Sequence, residues 1–142
     1  LPITDERMTR FWITLDHGIK FVLNSINLMI GGELFIPKLP SIKIIDLVKA
    51  LDKNIKYHII GIRPSEKLHE VLCPADSSRD TLEFKDYYLI KPSPYIVTTK
   101  DQGNDYRINK NNEKGKFVKS NFVYNSGTNP HFLNIRELKK LI

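Results

Sequence analysis

Residues 14–37 read TLDHGIKFVLNSINLMIGGELFIP, and this stretch decides the class of fold. Ile19, Val22, Leu23, Ile26 and Met29 recur at the three- and four-residue spacing of one helix face. Thr14 stands where a helix beginning at Leu15 needs a cap. Gly31-Gly32 stops the pattern, because glycine past a helix end takes left-handed backbone without a Cβ penalty. Glu33–Ile36 follows as a short apolar strand ended by Pro37. One apolar helix stripe leading into a strand means mixed α and β structure.

The same alternation continues outward. Ile44, Leu47, Val48 and Leu51 predict a second helix with a buried face, after the loop Pro37-Lys38-Leu39-Pro40-Ser41. Lys56–Ile62 reads as a strand. Ser65 is expected to cap a short helix through about Leu72, ended by Pro74. Thr81–Lys91 is expected to be extended, broken by Pro92 and Pro94. From Asp101 to Asn121 the apolar residues are only Tyr106, Ile108, Phe117 and Val118, which predicts a long polar loop. Phe122–Tyr124 reads as a strand. Asn134 then caps a terminal helix with Glu137 three residues on, a capping box, and Ile135, Leu138, Leu141 and Ile142 form its apolar side. On the N-terminal side, Leu1–Trp12 reads as a loop.

Composition bounds the rest. At 142 residues the chain has room for about one domain. A hydrophobic share of 41% excludes a disordered chain. No apolar run approaches the roughly 20 residues of a membrane helix. The start at Leu1-Pro2, with no initiator Met, leads us to expect a piece of something longer. Cys73 is the single cysteine, so a reducing, cytoplasmic setting fits, with Cys73 as a small packed hydrophobe. The net charge is +6, and residues 100–142 carry nine basic against four acidic residues. Such a bias can serve nucleic acid. Here Lys110, Lys114, Lys116 and Lys119 share no helical face or aromatic platform, and a solvated surface is the plainer reading. His17, His58, His69 and His131 show no metal spacing, and there is neither a glycine-rich phosphate loop nor a Gly-x-Ser-x-Gly elbow.

Three segments are unlike ordinary core sequence: Pro2 to Trp12, Gly61 to Glu70, and Tyr124 to Pro130. In the second, Arg63 at a strand end followed by Pro64-Ser65-Glu66 opening a helix would make an anion site, guanidinium beside helix N–H groups. Glu66 would accept hydrogen bonds from vicinal hydroxyls, so Arg-x-x-Glu suits a ribose beside a diphosphate. Arg10, before Phe11-Trp12, offers a second guanidinium. The same spacing equally suits a surface Arg63–Glu66 ion pair of small worth.

Long strings in these segments carry a resemblance. They are Pro2-Ile3-Thr4-Asp5 with Met8-Thr9-Arg10-Phe11-Trp12, Gly31-Gly32-Glu33 with Phe35-Ile36-Pro37-Lys38, and Ile60-Gly61-Ile62-Arg63-Pro64 with Glu66-Lys67-Leu68-His69-Glu70. The chain resembles the C-terminal portion of extended short-chain dehydrogenase/reductases that modify nucleotide sugars. It is most similar to the CapD-like polysaccharide-biosynthesis branch, the inverting UDP-N-acetylglucosamine 4,6-dehydratases. The resemblance covers almost the whole chain and is weakest over about 101–121. It implies an α/β fold, α+β for the piece alone: the substrate-binding part of an NAD(P)-binding Rossmann-type enzyme, without the Rossmann core. Residues 1–100 would be the substrate-recognition region, 101–121 a polar loop, and 122–142 a C-terminal strand and helix. Residues 19–36 would then expose apolar surface, dimerise or repack.

The resemblance also implies roles. Arg10 and Arg63 match diphosphate arginines and Glu66 the acidic residue on the uridine ribose, with Lys38 and His69 near the substrate. Ser65 stands where that family usually keeps glycine. NAD or NADP and a Tyr-x-x-x-Lys pair would act in the parent enzyme, with none of the catalytic, cofactor or metal residues in this chain. Tyr87 and Lys91 have that spacing, but in a β-rich stretch running into Pro92 rather than on a helix. The expected partners are a UDP-sugar and either a homo-oligomer or the missing Rossmann domain, with no nucleic acid or membrane contact. A 4-epimerase of the same branch is the alternative, and a basic nucleic-acid-binding or oligomerisation module lies outside the family.

Overall fold

The computed structural model describes residues 1–92 and 105–142, so the break read at Pro94 and the first residues of the polar loop lie outside the described residues. In chain order the elements are β1 (Pro2–Ile3), β2 (Thr9–Phe11), α1 (Leu15–Leu28), β3 (Leu34–Pro37), β4 (Ser41–Lys43), α2 (Ile44–Leu51), β5 (His58–Ile59), β6 (Val71–Cys73), β7 (Thr81–Glu83), β8 (Tyr87–Ile90), β9 (Lys116–Phe117), β10 (Tyr124–Asn125) and α3 (Ile135–Leu138). They fall in two compact units. One comprises Leu1–Thr14, Leu39–Val71 and Tyr124–Ile142; the other comprises Leu15–Lys38 and Leu72–Val123.

The second unit is built on an antiparallel sheet in the order β3-β8-β7-β9. Its register sets Phe35 opposite Leu89, Leu89 opposite Leu82, and Leu82 opposite Phe117. Residues directly opposite share a face, so these apolar side chains form one row across the sheet. Leu82, Phe84, Tyr87 and Leu89 form the core with Leu28 from α1 and Tyr106. The Phe84 and Tyr87 rings stack at 4.7 Å. A Cβ at Gly115 would come within 2.6 Å of the Phe84 ring, so that position has room only for glycine.

The helix expected from residue 15 is present, but it packs on a different face. Phe21 and Leu28 meet the core, whereas Ile19, Val22, Leu23, Ile26 and Met29 are 44–57% exposed. Leu34 is exposed too, so apolar surface lies open along this stretch. The Glu33 carboxylate accepts the N–H groups of Ile30 and Gly31, two donors just past the helix end. The polar stretch read as a loop contributes more than solvent-facing chain. Tyr106 enters the core, Ile108 bridges Lys114, and β9 forms the fourth strand. The Asn109 side-chain oxygen organises the turn there by accepting the N–H groups of Asn111 and Glu113. Lys110 donates to the Met29 carbonyl rather than joining a basic platform.

In the first unit β1 pairs parallel with β5, and β2 antiparallel with β4. Ile42, Ala50, Leu133 and Leu138 form the core, with Trp12, Leu47 and Ile135 against it. The second helix appears as read, except that Leu51 faces solvent while Ala50 is buried. The strand expected over Lys56–Ile62 shortens to His58–Ile59. The capping box at Asn134 and Glu137 is formed in both directions, although Leu141 and Ile142 stay exposed. The buried amide of Asn129 donates to Leu39 O, Ser41 Oγ and His131 O, tying β4 to the C-terminal segment.

Leu82→Ala empties a fully buried site and should cost about 2–5 kcal/mol by chemical denaturation. Ile26→Ser on the open face of α1 should change stability by only about 0.5 kcal/mol and reduce binding of an apolar dye.

Candidate functional site

The three unusual segments meet in the first unit. Thr9 N–H donates to Leu68 O at 3.1 Å, and Ser126 N–H donates to Glu70 O at 2.8 Å. Glu70 N–H returns a bond to Ser126 Oγ at 2.9 Å. At the centre the Thr9 and Ser126 hydroxyls lie 2.7 Å apart, both buried. His69 Nδ1 reaches the same Thr9 hydroxyl at 2.8 Å. Its ring lies across Gly127, where a Cβ would come within 2.6 Å of the imidazole. Asn125 accepts the Gly127 N–H and holds that bend. Thr9, Ser126 and Gly127 were not singled out individually from the sequence. Their only signal was membership of two odd segments, since a hydroxyl pairing across the whole chain has no local signature.

This cross-bonding also rules out a helix in the second segment. The helix expected from Ser65 to Leu72 is absent. The carbonyls of Leu68 and Glu70 and the N–H of Glu70 are bonded sideways to neighbouring segments, so they cannot serve a helical ladder. Val71–Cys73 is strand instead. Arg63 to Glu66 form a hydrogen-bonded turn, Glu66 N–H to Arg63 O at 3.1 Å. Ser65 sits at φ 65°, the left-handed backbone that glycine takes freely. With Pro64 second and a positive φ third, the turn is of the kind that favours Pro-Gly, and serine carries its Cβ cost. No helix N-terminus is therefore available beside Arg63.

What remains at the turn is a guanidinium and a carboxylate. Arg63 is exposed, and its side chain has no partner among the described residues. Glu66 is fixed from two sides: Oε1 accepts from the Thr4 hydroxyl at 3.2 Å and Oε2 from the Arg63 N–H at 3.1 Å. The surface Arg63–Glu66 ion pair does not form; Glu66 holds the turn's backbone and leaves the guanidinium free. Arg10 is different. Its fork donates to Thr9 O at 2.6 Å, to Leu68 O at 3.3 Å and to Met8 Sδ, with Nε 3.5 Å from Glu70. Arg10, Arg63, Glu66 and His69 thus share one unit. Lys38 belongs to the other, paired with Glu83 at 2.8 Å and lying over the Tyr88 ring.

Beside these groups Asp5 is held down to about 2 by hydrogen bonds from the Arg7 side chain and backbone. Burial pushes the phenols of Tyr87 and Tyr124 upward. Tyr124 donates to Leu39 O and accepts its N–H, closing β10 on the loop before β4.

Residues 1–92 match the profile of the polysaccharide biosynthesis protein family. The chain belongs to that family. It is 52% identical over its full length to UDP-N-acetylglucosamine 4,6-dehydratase (inverting) of Campylobacter jejuni subsp. jejuni serotype O:2, spanning 42% of that protein. It is 33% identical over 94 residues, 63% of its length, to UDP-glucose 4-epimerase of Rickettsia massiliae, of which it spans 28%. Among solved structures, Pen from Bacillus thuringiensis superposes on the whole chain with a TM-score of 0.77 at 32% identity, and the match covers 40% of that structure. The family assignment and this superposition agree with the α/β reading, as part of an extended short-chain dehydrogenase/reductase. The chain spans about two fifths of the curated dehydratase it matches.

The Tyr87-x-x-x-Lys91 spacing does not fit a nicotinamide site. Tyr87 is buried in β8 and its hydroxyl accepts from Asn109; Lys91 pairs with Asp80 and lies over Phe117. Among the described residues no three His, Cys, Asp or Glu are grouped for a metal, and no helix is long and apolar enough to cross a membrane.

Replacing Ser65 by Gly should keep the turn and raise stability by up to about 1 kcal/mol, whereas Ser65→Val should lower it by about 1–3 kcal/mol. Thermal melts of the two variants check this. Because the folded chain favours neutral Tyr87 and Tyr124, their contribution is full below the ordinary phenol value of 10.0 and declines as pH rises through their higher folded values. Absorbance at alkaline pH should show two tyrosines ionising late, together with unfolding.

Proposed function

We propose that this chain carries the nucleotide-sugar recognition part of an enzyme resembling the inverting UDP-N-acetylglucosamine 4,6-dehydratases of surface polysaccharide biosynthesis. The observation that carries the reading is the turn at Arg63. A free guanidinium stands beside a carboxylate whose orientation is already fixed by Thr4 and the Arg63 backbone. A guanidinium fork matches phosphate oxygens bidentately, and a carboxylate accepts from vicinal hydroxyls. A nucleoside diphosphate offers both groups side by side. Glu66 uses one acceptor position on each oxygen for the protein and keeps further lone pairs for a ribose.

In this reading Arg63 is the principal phosphate ligand. Arg10 contributes the little of its five-donor fork that Thr9, Leu68, Met8 and Glu70 do not use. Lys38 and His69 are assigned to the neighbourhood of the substrate. The alternative outcome for the parent enzyme is a UDP-sugar 4-epimerase, favoured by the likeness to the Rickettsia protein. NAD or NADP, and the residues that use it, are assigned to the three fifths of the relatives' length that this chain does not span. The chain itself is taken to turn over no substrate. The same reading puts it in the cytoplasm, assembled with like chains or with the remainder of a longer enzyme. It takes neither nucleic acid nor membrane as partner.

Calorimetric titration with UDP should give binding heat at millimolar ligand. Arg63→Ala, which removes an exposed side chain, should weaken binding roughly 10- to 100-fold without lowering the melting temperature. No heat with the parent chain, or unchanged heat in Arg63→Ala, would overturn the assigned site.

A further inference from the structure

We propose that Thr4 is a positioning residue of the Arg63 turn: by holding the Glu66 carboxylate it keeps that carboxylate off the Arg63 guanidinium, and so keeps the guanidinium open to an anion. The anion step rests on the nucleotide-sugar reading above; the positioning step stands on the hydrogen bonds alone.

The turn by itself favours the pairing that the structure lacks. Glu66 N–H donates to Arg63 O at 3.1 Å. A turn closed in this way brings its first and fourth residues within about 7 Å of each other. A guanidinium and a carboxylate at that separation form a charge-assisted pair when nothing else claims them. Glu66 Oε2 accepts the Arg63 backbone N–H at 3.1 Å. That is a single point of attachment, and the carboxylate can turn about it. The destination of Oε1 is then set by the nearest competing donor. In this fold the donor is the Thr4 hydroxyl, at 3.2 Å. The Arg63 guanidinium is left with no partner among the described residues.

Thr4 wins this competition because fixed backbone delivers it. β1 pairs with β5, Ile60 N–H donates to Ile3 O at 2.9 Å, and Ile3 is buried. The chain start is held as well, with the Leu1 amino group donating to Lys56 O at 2.8 Å. On the other side Asp5 closes a turn, its carbonyl accepting Met8 N–H at 3.2 Å and its carboxylate accepting Arg7 N–H at 2.8 Å. Thr4 therefore stands between two fixed pieces of backbone, and a threonine side chain is stiff at χ1. Its bond to Glu66 orders little that is not already ordered. The ion pair it displaces is exposed at Arg63 and would have to immobilise two long side chains, which makes it the weaker competitor. Without the Thr4 hydroxyl the balance reverses, and an incoming phosphate meets a guanidinium already neutralised within its own turn.

The Arg63 Nε–H signal of the nitrogen-15-labelled chain, assigned by its absence in Arg63→Lys, reports the pairing directly. In the parent chain it should show the fast mobility of an unpaired side chain. A rigid Arg63 Nε–H there overturns the proposal without any change at Thr4. Thr4→Val should make it rigid and Thr4→Ser should leave it mobile. Thr4→Val combined with Glu66→Gln should be mobile again, because the amide has no charge to pair. An Nε–H that stays mobile in Thr4→Val, or stays rigid in the double variant, overturns the positioning step. Local damage from Thr4→Val would not be reversed by the second substitution. Calorimetry with inorganic pyrophosphate, which has no ribose for Glu66 to contact, carries the anion step. Thr4→Val should weaken pyrophosphate roughly 2- to 5-fold, the worth of an exposed ion pair that must first open, and the double variant should match Glu66→Gln alone. Loss of affinity for UDP without loss for pyrophosphate overturns the anion step, since Thr4 would then serve only a ribose contact. If neither ligand binds the parent chain, the nucleotide-sugar reading and the anion step both fail, and the Nε–H measurement still decides the positioning step.

Discussion

Two hydroxyls 117 positions apart in sequence, Thr9 and Ser126, meet at 2.7 Å where water does not reach. Much of the first unit follows from that meeting. A buried hydroxyl left without a partner costs about 1–3 kcal/mol, so each of the two fixes the position of the other. Through their backbones they draw in Leu68 and Glu70, which carry the chain between Arg63 and β6. The sideways bonding takes the carbonyls a helix would have used. The segment is consequently not helical, and Arg63 stands on a turn rather than at a helix end. The electrostatics of the candidate site therefore come from side chains, above all the Arg63 guanidinium, which has no carboxylate partner among the described residues.

The second unit obeys a simpler constraint. Its sheet has one apolar row, and α1 covers that row through Phe21 and Leu28. The remaining apolar residues of the helix have no surface to cover within the described residues of the unit.

Periodic elements were legible in the sequence because their cause is local. The bounds of α1 and α2 and the capping box of α3 followed from spacing and cap chemistry in windows of a few residues. Which face of α1 is buried was not legible, because Phe21 and Leu28 are chosen by the sheet and not by the helix. Ser65 in place of glycine flagged an unusual turn, and a positive φ is present there. The helix read after it failed because long-range bonds from Thr9 and Ser126 outcompeted local propensity. Arg63 and Glu66 were visible as a pair, yet the spacing left an ion pair as plausible as a ligand site. The bonds from Thr4 and the Arg63 backbone to Glu66, which take the place of that ion pair, had no local signature. Lys38 was visible as part of a string; its attachment to Glu83 was not.

The first unit is stitched from three stretches of chain, the last beginning at Tyr124. During synthesis Thr9 emerges long before Ser126 exists, and β2 cannot close on its final neighbours until the segment carrying Ser126 and Leu138 has left the ribosome. The second unit, by contrast, is complete in outline by Val123. The sheet of the second unit can thus assemble before the first unit has received its last stretch of chain. Closing such long loops is slow, because the entropy of closure is met before the distant contacts form. The turn at Arg63 closes on early partners, Thr4 and its own backbone, whereas the Leu68–Glu70 segment beside it takes its final bonds only when Ser126 has arrived.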